Sequence, residues 1–274
     1  MAKKLKNYLA TKTQRHKETQ KNRIFSYLKI MQENKKPYIY DDYTINSSNF
    51  FVRYAHRNRI KKTLKYILPR VKSGKILDYG CGSGLIISKL NEIEPNCATG
   101  YEPFMEVPDN KEILPFYSNY SDILKFAPFH TITILEVFEH LQWNEIDNIL
   151  NRFSELLSSD GIIIVSVPIE MGPALLLKEL NRFRLIKKWR YNFGEFIGAL
   201  VFGIAGKRDN PDLSFMGHKG FDFKELIRYL KSKNWQVKVL GYTPLPFKCW
   251  YGNSQIFFSM EKFSPPRHKN TKEH

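Results

Sequence analysis

The sequence predicts an α/β fold: a doubly wound sheet of seven strands, mostly parallel with an antiparallel last strand. Three observations predict it. Short apolar runs alternate with segments of helical spacing, which is typical of βαβ units whose sheet is covered on both faces. The chain has 274 residues and is 42% hydrophobic, enough for one large packed domain. A glycine-rich turn follows the first apolar run, where such sheets bind ligands.

The predicted elements alternate along most of the chain. Helices are predicted at 46–68, 83–93, 143–161 and 221–234, the third stopped by Gly161. Strands are predicted at 75–80, 97–103, 115–120, 131–137, 162–168, 235–246 and 254–263. The last two strands are close enough in sequence to pair antiparallel.

The chain is expected to have five parts. They are a basic, partly disordered or helical extension (1–45), a ligand-binding core (46–168), a helical insertion after the fifth strand (169–220), the rest of the same core (221–262) and a tail (263–274). The insertion contains an apolar stretch, 192–206, that is far shorter than the roughly 20 residues needed to span a bilayer. Flanked by Lys and Arg, it suits a membrane interface or a lid over the site, and we favour the lid.

Charge and cysteine content narrow the possible partners. The formal net charge is +16, and residues 1–36 hold eleven Lys or Arg against two acidic residues. A basic leader of this kind is expected to bind phosphates or an anionic membrane surface. The alternative is that it only keeps the protein soluble. The three cysteines, Cys81, Cys97 and Cys249, are too scattered for a disulfide framework. With no apolar signal segment at the start, we expect a cytoplasmic protein, with peripheral membrane contact as a variant and no stable protein partner inferred.

The glycine turn, ILDYGCGSGL, places Gly80, Gly82 and Gly84 at alternate positions. It is not the G-x-G-x-x-G dinucleotide fingerprint, because Leu85 occupies the third glycine position, and without a G-K-[ST] ending it is not a P-loop. A backbone this bare lets a ligand approach closely, and the helix that follows favours an anionic group at its N-terminus.

With Asp78 before the glycines, the motif resembles that of class I S-adenosylmethionine-dependent methyltransferases, of the type 11 and type 23 kind. The resemblance covers 75–168 and, more faintly, extends to 260. It implies a Rossmann-like core that binds S-adenosylmethionine. Asp78 and the glycine loop would hold the amino-acid end of this donor, Glu102 the ribose hydroxyls and Asp122 the adenine amino group. The residues expected at the donor are Asp78, Gly80, Cys81, Gly82, Gly84, Glu102, Asp122 and Glu136. His130 departs from the family, in which an Asp commonly opens the fourth strand.

A second motif, LEVFEHL, follows the fourth strand and carries Glu136, Glu139 and His140 at i, i+3 and i+4. If a helical turn begins at Glu136, these side chains project from one side. With the later His218 they resemble the quartet of two families, small-RNA 2′-O-methyltransferases and the O-methyltransferases of ubiquinone biosynthesis. In the small-RNA enzymes this quartet binds a divalent metal.

Three interpretations of the quartet remain open. It binds a divalent metal, it gives His140 or His218 a direct acid–base or pocket role, or it is structural. We expect the second, with His140, His218 and Glu139 as the catalytic group and no metal.

Residues 216–258 resemble methyltransferases of bacterial surface-polysaccharide and lipid-associated pathways. This resemblance implies O-methylation of a glycan, a lipid-linked molecule or another small acceptor. One alternative is a metal-dependent RNA 2′-O-methyltransferase, which the positive charge favours because phosphate contacts dominate nucleic-acid affinity. Another is a donor-binding, membrane-associated protein without enzymatic activity.

Overall fold

The structure is a computed structural model that describes residues 50–103, 116–187, 189–208 and 218–262. The predicted extension 1–45, the first turn of the predicted helix at 46–49 and the tail 263–274 lie outside these residues. Contacts between residues divide the chain into two units, 1–50 and 51–274, and the second is described below.

The described elements follow the predicted alternation. The helices are α1 (Phe50–Ile67), α2 (Leu85–Ile93), α3 (Tyr120–Leu124), α4 (Trp143–Leu156), α5 (Ala174–Ile186), α6 (Phe193–Val201) and α7 (Phe223–Ser232). The strands are β1 (Ile76–Tyr79), β2 (Ala98–Tyr101), β3 (Phe116–Tyr117), β4 (Phe129–Leu135), β5 (Leu157–Pro168), β6 (Trp235–Thr243) and β7 (Gln255–Lys262). Short 3-10 turns cover Leu68–Ser73 and Phe138–His140.

The seven strands form one sheet in the order β3-β2-β1-β4-β5-β7-β6. Strands β1 to β5 pair in parallel, while β7 runs antiparallel to both of its neighbours, β5 and β6. The predicted fold class is therefore confirmed. Because the carboxyl ends of β1, β2, β4 and β5 meet at one edge, the residues that follow these strands gather there.

Both faces of the sheet are covered, which explains why the central strands are almost wholly apolar. On one face Leu77 and Ile132 pack in a cluster with Phe153 of α4 and Leu226 of α7. On the other face Ile76 packs in a cluster with residues of α1 and α2. All of the named side chains are buried.

The predicted boundaries that differ from those observed include the junction of α4 with β5 and the end of β3. Helix α4 ends at Leu156 rather than at Gly161, because Leu157 is already extended and pairs with Phe129 of β4. The intervening Ser158, Ser159 and Asp160 are poor helix formers and extend β5 instead. The predicted third strand shortens to the two residues of β3.

The insertion after β5 contains α5 and α6, which contact each other and share a small core of Leu175, Tyr191, Phe196 and Ala199. A capping box starts α6: the Asn192 side chain accepts from the Glu195 N–H at 2.8 Å. The Gly172 N–H donates to the Ala199 carbonyl at 2.8 Å and so joins the segment before α5 to the last turns of α6. No helix within the described ranges is long and apolar enough to cross a membrane.

Substituting Gly100→Ala tests the packing of β2 against the glycine turn. A Cβ at this position would lie 2.3 Å from Cδ1 of Ile87 and 2.7 Å from Sγ of Cys81, so the neighbours must shift. We expect the free energy of unfolding, measured by urea denaturation, to fall by about 1–3 kcal/mol. The control is Gly198→Ala in α6, where a Cβ meets nothing within 4 Å. There stability should stay constant or rise, and an equal loss in both variants would contradict the packing described.

Candidate functional site

The glycine turn joins β1 to α2 and adopts backbone conformations that favour glycine. Gly80, Gly82 and Gly84 have φ values of 82°, 52° and 76°, in the left-handed region. The Gly80 and Cys81 N–H groups both donate to the Tyr101 carbonyl of β2, at 2.7 and 3.2 Å. A Cβ on Gly82 would meet no atom within 4 Å, so the turn opens onto free space at its centre.

Asp78 lies at the end of β1 and is buried, with 2% of its surface exposed. Its Oδ1 accepts a 2.6 Å hydrogen bond from the Thr133 hydroxyl of β4. Burial raises the pKa of Asp78 to about 6; the Thr133 hydrogen bond opposes this rise and the nearby Glu102 adds to it. The fold therefore holds a carboxyl whose charge needs a positively charged partner.

Glu102 follows β2 and reaches across to the glycine turn. Its Oε2 accepts from the Gly82 N–H at 3.0 Å, while its own N–H donates to the Tyr117 carbonyl of β3. Cys81 is buried beside these carboxylates, and burial, with the charges of Asp78 and Glu102, raises the pKa of its thiol far above the ordinary range. The structure thus brings the predicted donor residues of β1, β2 and the turn together at one edge.

Asp122 is the predicted donor residue that stands apart from this group. It lies in the first turn of α3 and pairs with the Lys125 ammonium at 2.8 Å, which lowers its pKa. Asn119, the N-cap of α3, is the polar residue that comes sooner after β3. Both residues follow β3 on the chain, and the assignment of Asp122 to the adenine stays a prediction.

Glu136, directly after β4, does not share a helical turn with Glu139 and His140. Its φ is 56°, and its N–H donates to the Ser166 carbonyl of β5, so the 3-10 turn begins only at Phe138. Its Oε1 accepts from the Gln255 amide, and its Oε2 lies 3.6 Å from the Arg59 guanidinium. Glu136 is therefore held by α1 and β7, separately from the other members of the predicted quartet.

Glu139, His140 and His218 do come together. The Oε1 of Glu139 lies 3.9 Å from Nε2 of His140 and 3.9 Å from Nδ1 of His218, and the imidazole centroids are 4.9 Å apart. The Glu139 side chain is fully buried, whereas 27% of each His side chain is exposed. Neither carboxylate oxygen of Glu139 has a hydrogen-bond partner among the residues that the structure describes.

The electrostatics of this cluster follow from its burial. Desolvation, with the negative charge of Glu136, raises the pKa of Glu139 well above its ordinary value. Desolvation also lowers the pKa of His218 to about 3, although the charge of Glu170 opposes that shift. His218 is therefore a neutral imidazole at neutral pH, with a nitrogen lone pair that carries no proton.

The residue types of the cluster also suit a divalent metal ion. One ligand atom from each of Glu139, His140 and His218 lies within 4.8 Å of the others. A carboxylate with imidazoles is a common ligand set for Zn²⁺ and Mn²⁺. The unpartnered oxygens of Glu139 fit such an ion, whereas Glu136 is engaged elsewhere, so three of the four candidate ligands fit.

Glu170 and Lys178 are site residues that sequence reasoning missed. Glu170 follows β5 and is 1% exposed, and its Oε1 lies 2.8 Å from the Lys178 ammonium of α5. That ammonium also donates to the Ile169 and Ser254 carbonyls, at 2.9 and 3.3 Å. Burial alone would raise the pKa of Glu170, but Lys178 and His218 outweigh it and hold the pKa below its ordinary value. The pair joins the insertion to the edge of the sheet beside His218.

A cavity of about 540 Å³ adjoins the 3-10 turn Phe138–His140 through Phe138. Its lining includes Phe138, Trp143, Arg208 and Lys224, and none of the residues predicted as donor or catalytic groups. The Arg208 guanidinium donates to the Glu139 and Leu141 carbonyls, at 2.9 and 3.2 Å. Arg208, which lines the cavity, therefore stabilises the backbone of the 3-10 turn. No residue of the glycine turn lines this cavity.

Comparisons with known proteins agree with the fold. The profile of the methyltransferase domain family matches residues 51–197. No curated protein matches the chain.

Among solved structures, similar chains include a SAM-dependent methyltransferase from Archaeoglobus fulgidus (14% identity, 75% of this chain and 94% of that one, TM-score 0.46). Another is magnesium protoporphyrin IX methyltransferase from Synechocystis PCC 6803 with bound SAH (13% identity, 79% of this chain and 89% of that one, TM-score 0.47). A third is the small RNA methyltransferase HEN1 (16% identity, 80% of this chain and 26% of that one, TM-score 0.49). Nothing about the acceptor of this chain follows from these likenesses.

Substituting Asp78→Asn should separate stability from donor affinity. Because the folded pKa is raised, the ionised carboxyl destabilises the unliganded protein, and this destabilisation grows as pH rises from about 4 to about 6. Above pH 6 we expect the variant to be more stable than the wild type by about 1–3 kcal/mol. We also expect it to bind S-adenosylmethionine at least about tenfold more weakly. Urea unfolding across pH and calorimetric titration measure the two effects.

The matched control for this prediction is Asp160→Asn, which changes an exposed carboxyl on the same sheet. It should alter neither the stability nor the affinity. A lower free energy of unfolding in Asp78→Asn than in the wild type at neutral pH, with donor affinity unchanged, would contradict the role assigned to Asp78.

Proposed function

Because the chain belongs to the methyltransferase domain family and is an S-adenosylmethionine-dependent methyltransferase, we propose that it methylates a hydroxyl oxygen of a glycan, lipid-linked or other small acceptor. One observation carries this proposal. Glu139 is fully buried without a hydrogen-bond partner in the described part of the chain, and it lies 3.9 Å from each of two partly exposed imidazoles. Such a group suits the removal of a proton from a weakly acidic hydroxyl.

The donor binds along the glycine turn in this proposal. Its ammonium group pairs with the buried Asp78, and its ribose hydroxyls displace the Gly82 N–H as hydrogen-bond partners of Glu102. Asn119 or Asp122 hydrogen-bonds to the adenine from the end of β3. The raised pKa of Asp78 supports the first contact, because an ion pair relieves the cost of a buried carboxylate.

The acceptor lies over the ends of β4 and β5. His140 or His218 takes the proton of its hydroxyl, the oxygen attacks the methyl carbon, and the carbon–sulfur bond breaks to leave the thioether product. Glu139 stabilises the imidazolium that forms, and its unpartnered oxygens support this task. Most of the rate enhancement in such a displacement comes from positioning two reactants and excluding water.

A divalent cation is the alternative occupant of this cluster. Glu139, His140 and His218 would hold it, and it would supply a Lewis acid that lowers the pKa of the acceptor hydroxyl. In either case the protein residues bring the hydroxyl beside the donor methyl group. Without the cation, His140 or His218 also accepts its proton.

An RNA 2′-hydroxyl is the second candidate acceptor, favoured by the charge of α1. The helix sequence FFVRYAHRNRIKKTLKYI carries six Lys or Arg and no acidic residue. Of these basic side chains Arg57, Lys61 and Lys65 are exposed. A basic helix attracts the phosphate backbone without reading its sequence.

Substitutions in the cluster test the proton-transfer role. In Glu139→Gln, His140→Ala and His218→Ala we expect turnover to fall by about 100-fold or more, because each removes part of the acid–base group. Affinity for S-adenosylmethionine should stay within a few-fold of wild type, since donor residues are untouched. Single-turnover kinetics and calorimetry measure the two quantities.

The control for this set is His130→Ala, at the amino end of β4 and so at the opposite edge of the sheet. It should keep wild-type turnover once circular dichroism shows that it is folded. Activity that survives extensive chelation supports direct catalysis by His. Activity lost to a chelator and restored by Mn²⁺ or Zn²⁺ supports the metal alternative, and full activity in all three cluster variants overturns the proposal.

The acceptor class is tested with labelled donor. Purified protein and its Glu139→Gln variant are incubated with glycan, lipid, RNA and protein fractions of a cell extract. Label that enters the glycan or lipid fraction with wild type only supports the proposed acceptor, whereas label in RNA supports the second candidate.

A further inference from the structure

The helical insertion turns an apolar surface toward solvent. On α5 the exposed side chains include Leu176, Leu177, Leu180 and Phe183, which lie along one face of the helix, while Leu175 and Glu179 point inward. On and after α6, Phe193 is 82% exposed and Phe202 70% exposed. We call the whole set the insertion patch; its members are Leu176, Leu177, Leu180, Phe183, Phe193, Val201, Phe202, Ile204, Phe247 and Tyr251.

Contacts within the fold bring several members of this patch together. The hydrogen bond from Gly172 to Ala199 brings the start of α5 beside the end of α6. A Cβ on Gly172 would lie 3.7 Å from the Tyr251 ring, and one on Gly203 would lie 2.5 Å from the Trp250 ring. The loop between β6 and β7 therefore adjoins the end of the hairpin that carries Leu176, Leu177, Val201 and Phe202.

Within the insertion and the loop between β6 and β7, the exposed charged side chains that the structure describes are basic. Among the described residues of 173–207, the exposed charged side chains are Arg184, Lys187 and Lys207, and none is acidic. The same holds for 246–251, where Lys248 is exposed. Among the described acidic residues of α5 and α6, Glu179 is buried and pairs with Arg182, and Glu195, which is 21% exposed, pairs with Lys219 at 3.1 Å.

From this combination we infer that the insertion patch docks on an anionic lipid bilayer, with its aromatic and aliphatic side chains in the headgroup region and its Lys and Arg on lipid phosphates. Soluble proteins rarely expose contiguous apolar surface of this kind without a partner. In the described parts of these two segments the exposed charge is all basic, and clustered Lys and Arg are attracted to an anionic membrane surface.

Docking in this way also orients the catalytic edge. The insertion begins where β5 ends, and Lys178 of α5 is bonded to Glu170 beside His218. A bilayer under the patch therefore lies next to the edge of the sheet that carries the imidazoles. This inference concerns membrane binding alone and does not depend on the proposed acceptor.

Vesicle co-sedimentation of the full chain tests the inference. We expect binding to vesicles of phosphatidylcholine with phosphatidylglycerol, and much weaker binding to phosphatidylcholine alone. The double substitution Phe193→Ser with Phe202→Ser should weaken binding to anionic vesicles at least about tenfold, because two exposed rings no longer enter the interface. Lys187→Glu with Lys248→Glu should weaken it similarly at low salt.

Matched controls distinguish binding through the patch from binding through exposed apolar or basic side chains elsewhere on the protein. Ile93→Ser with Val239→Ser changes apolar side chains that are exposed elsewhere (56% and 44%), and Lys231→Glu with Lys238→Glu removes exposed basic residues elsewhere. Both should bind like wild type. Since the basic leader can attract anionic vesicles by itself, the assay is repeated at high salt, which screens that attraction.

Three results would overturn the inference. The first is unchanged binding in the Phe193/Phe202 variant at high salt. The second is an equal loss in the Ile93/Val239 control. The third is a wild-type dimer in solution that the Phe193/Phe202 variant converts to a monomer, which would assign the patch to a second copy of this chain.

Discussion

Parallel, in-register pairing of β1 with β2 and β4 is the constraint on which the donor site depends. In this register Asp78 lies opposite Gly100 of β2 and Thr133 of β4. The Thr133 hydroxyl can therefore reach the Asp78 carboxyl, and the absence of a side chain on Gly100 leaves room for Cys81. A slip of one residue would turn every side chain to the other face and separate these groups. The glycine turn therefore depends for its shape on the register of the strands on either side of β1.

The site keeps two carboxyl groups where their charge is costly. Asp78 and Glu139 are both buried, and burial raises the pKa of each. Hydrophobic residues of similar size would make a more stable protein, so these positions are understandable only through what binds there. A donor ammonium suits Asp78, whereas an imidazolium or a metal cation suits Glu139. The unliganded fold is thus preorganised for positive charge at two separate places on one edge.

Much of this arrangement could be predicted from the sequence, and the failures have physical reasons. The glycine motif and the alternation of strands and helices predicted the sheet, since both depend on local spacing. The predicted end of α4 was wrong because the pairing of Leu157 with Phe129 is a tertiary contact, which the periodicity of the sequence does not reveal. Glu136 separated from Glu139 because its left-handed backbone breaks the helical turn that the spacing implied. Glu170 and Lys178 belong to no motif and meet only because α5 folds back onto the end of β5.

The insertion has a core of its own and touches the sheet edge through a few polar bonds, among them those of Lys178. The groups at the donor come from β1, β2 and the turn between them, in a different stretch of the chain. The hairpin and the strands beside the glycine turn therefore belong to segments of the chain that can vary independently. A change in the hairpin would leave the glycine turn and the ends of β1 and β2 intact.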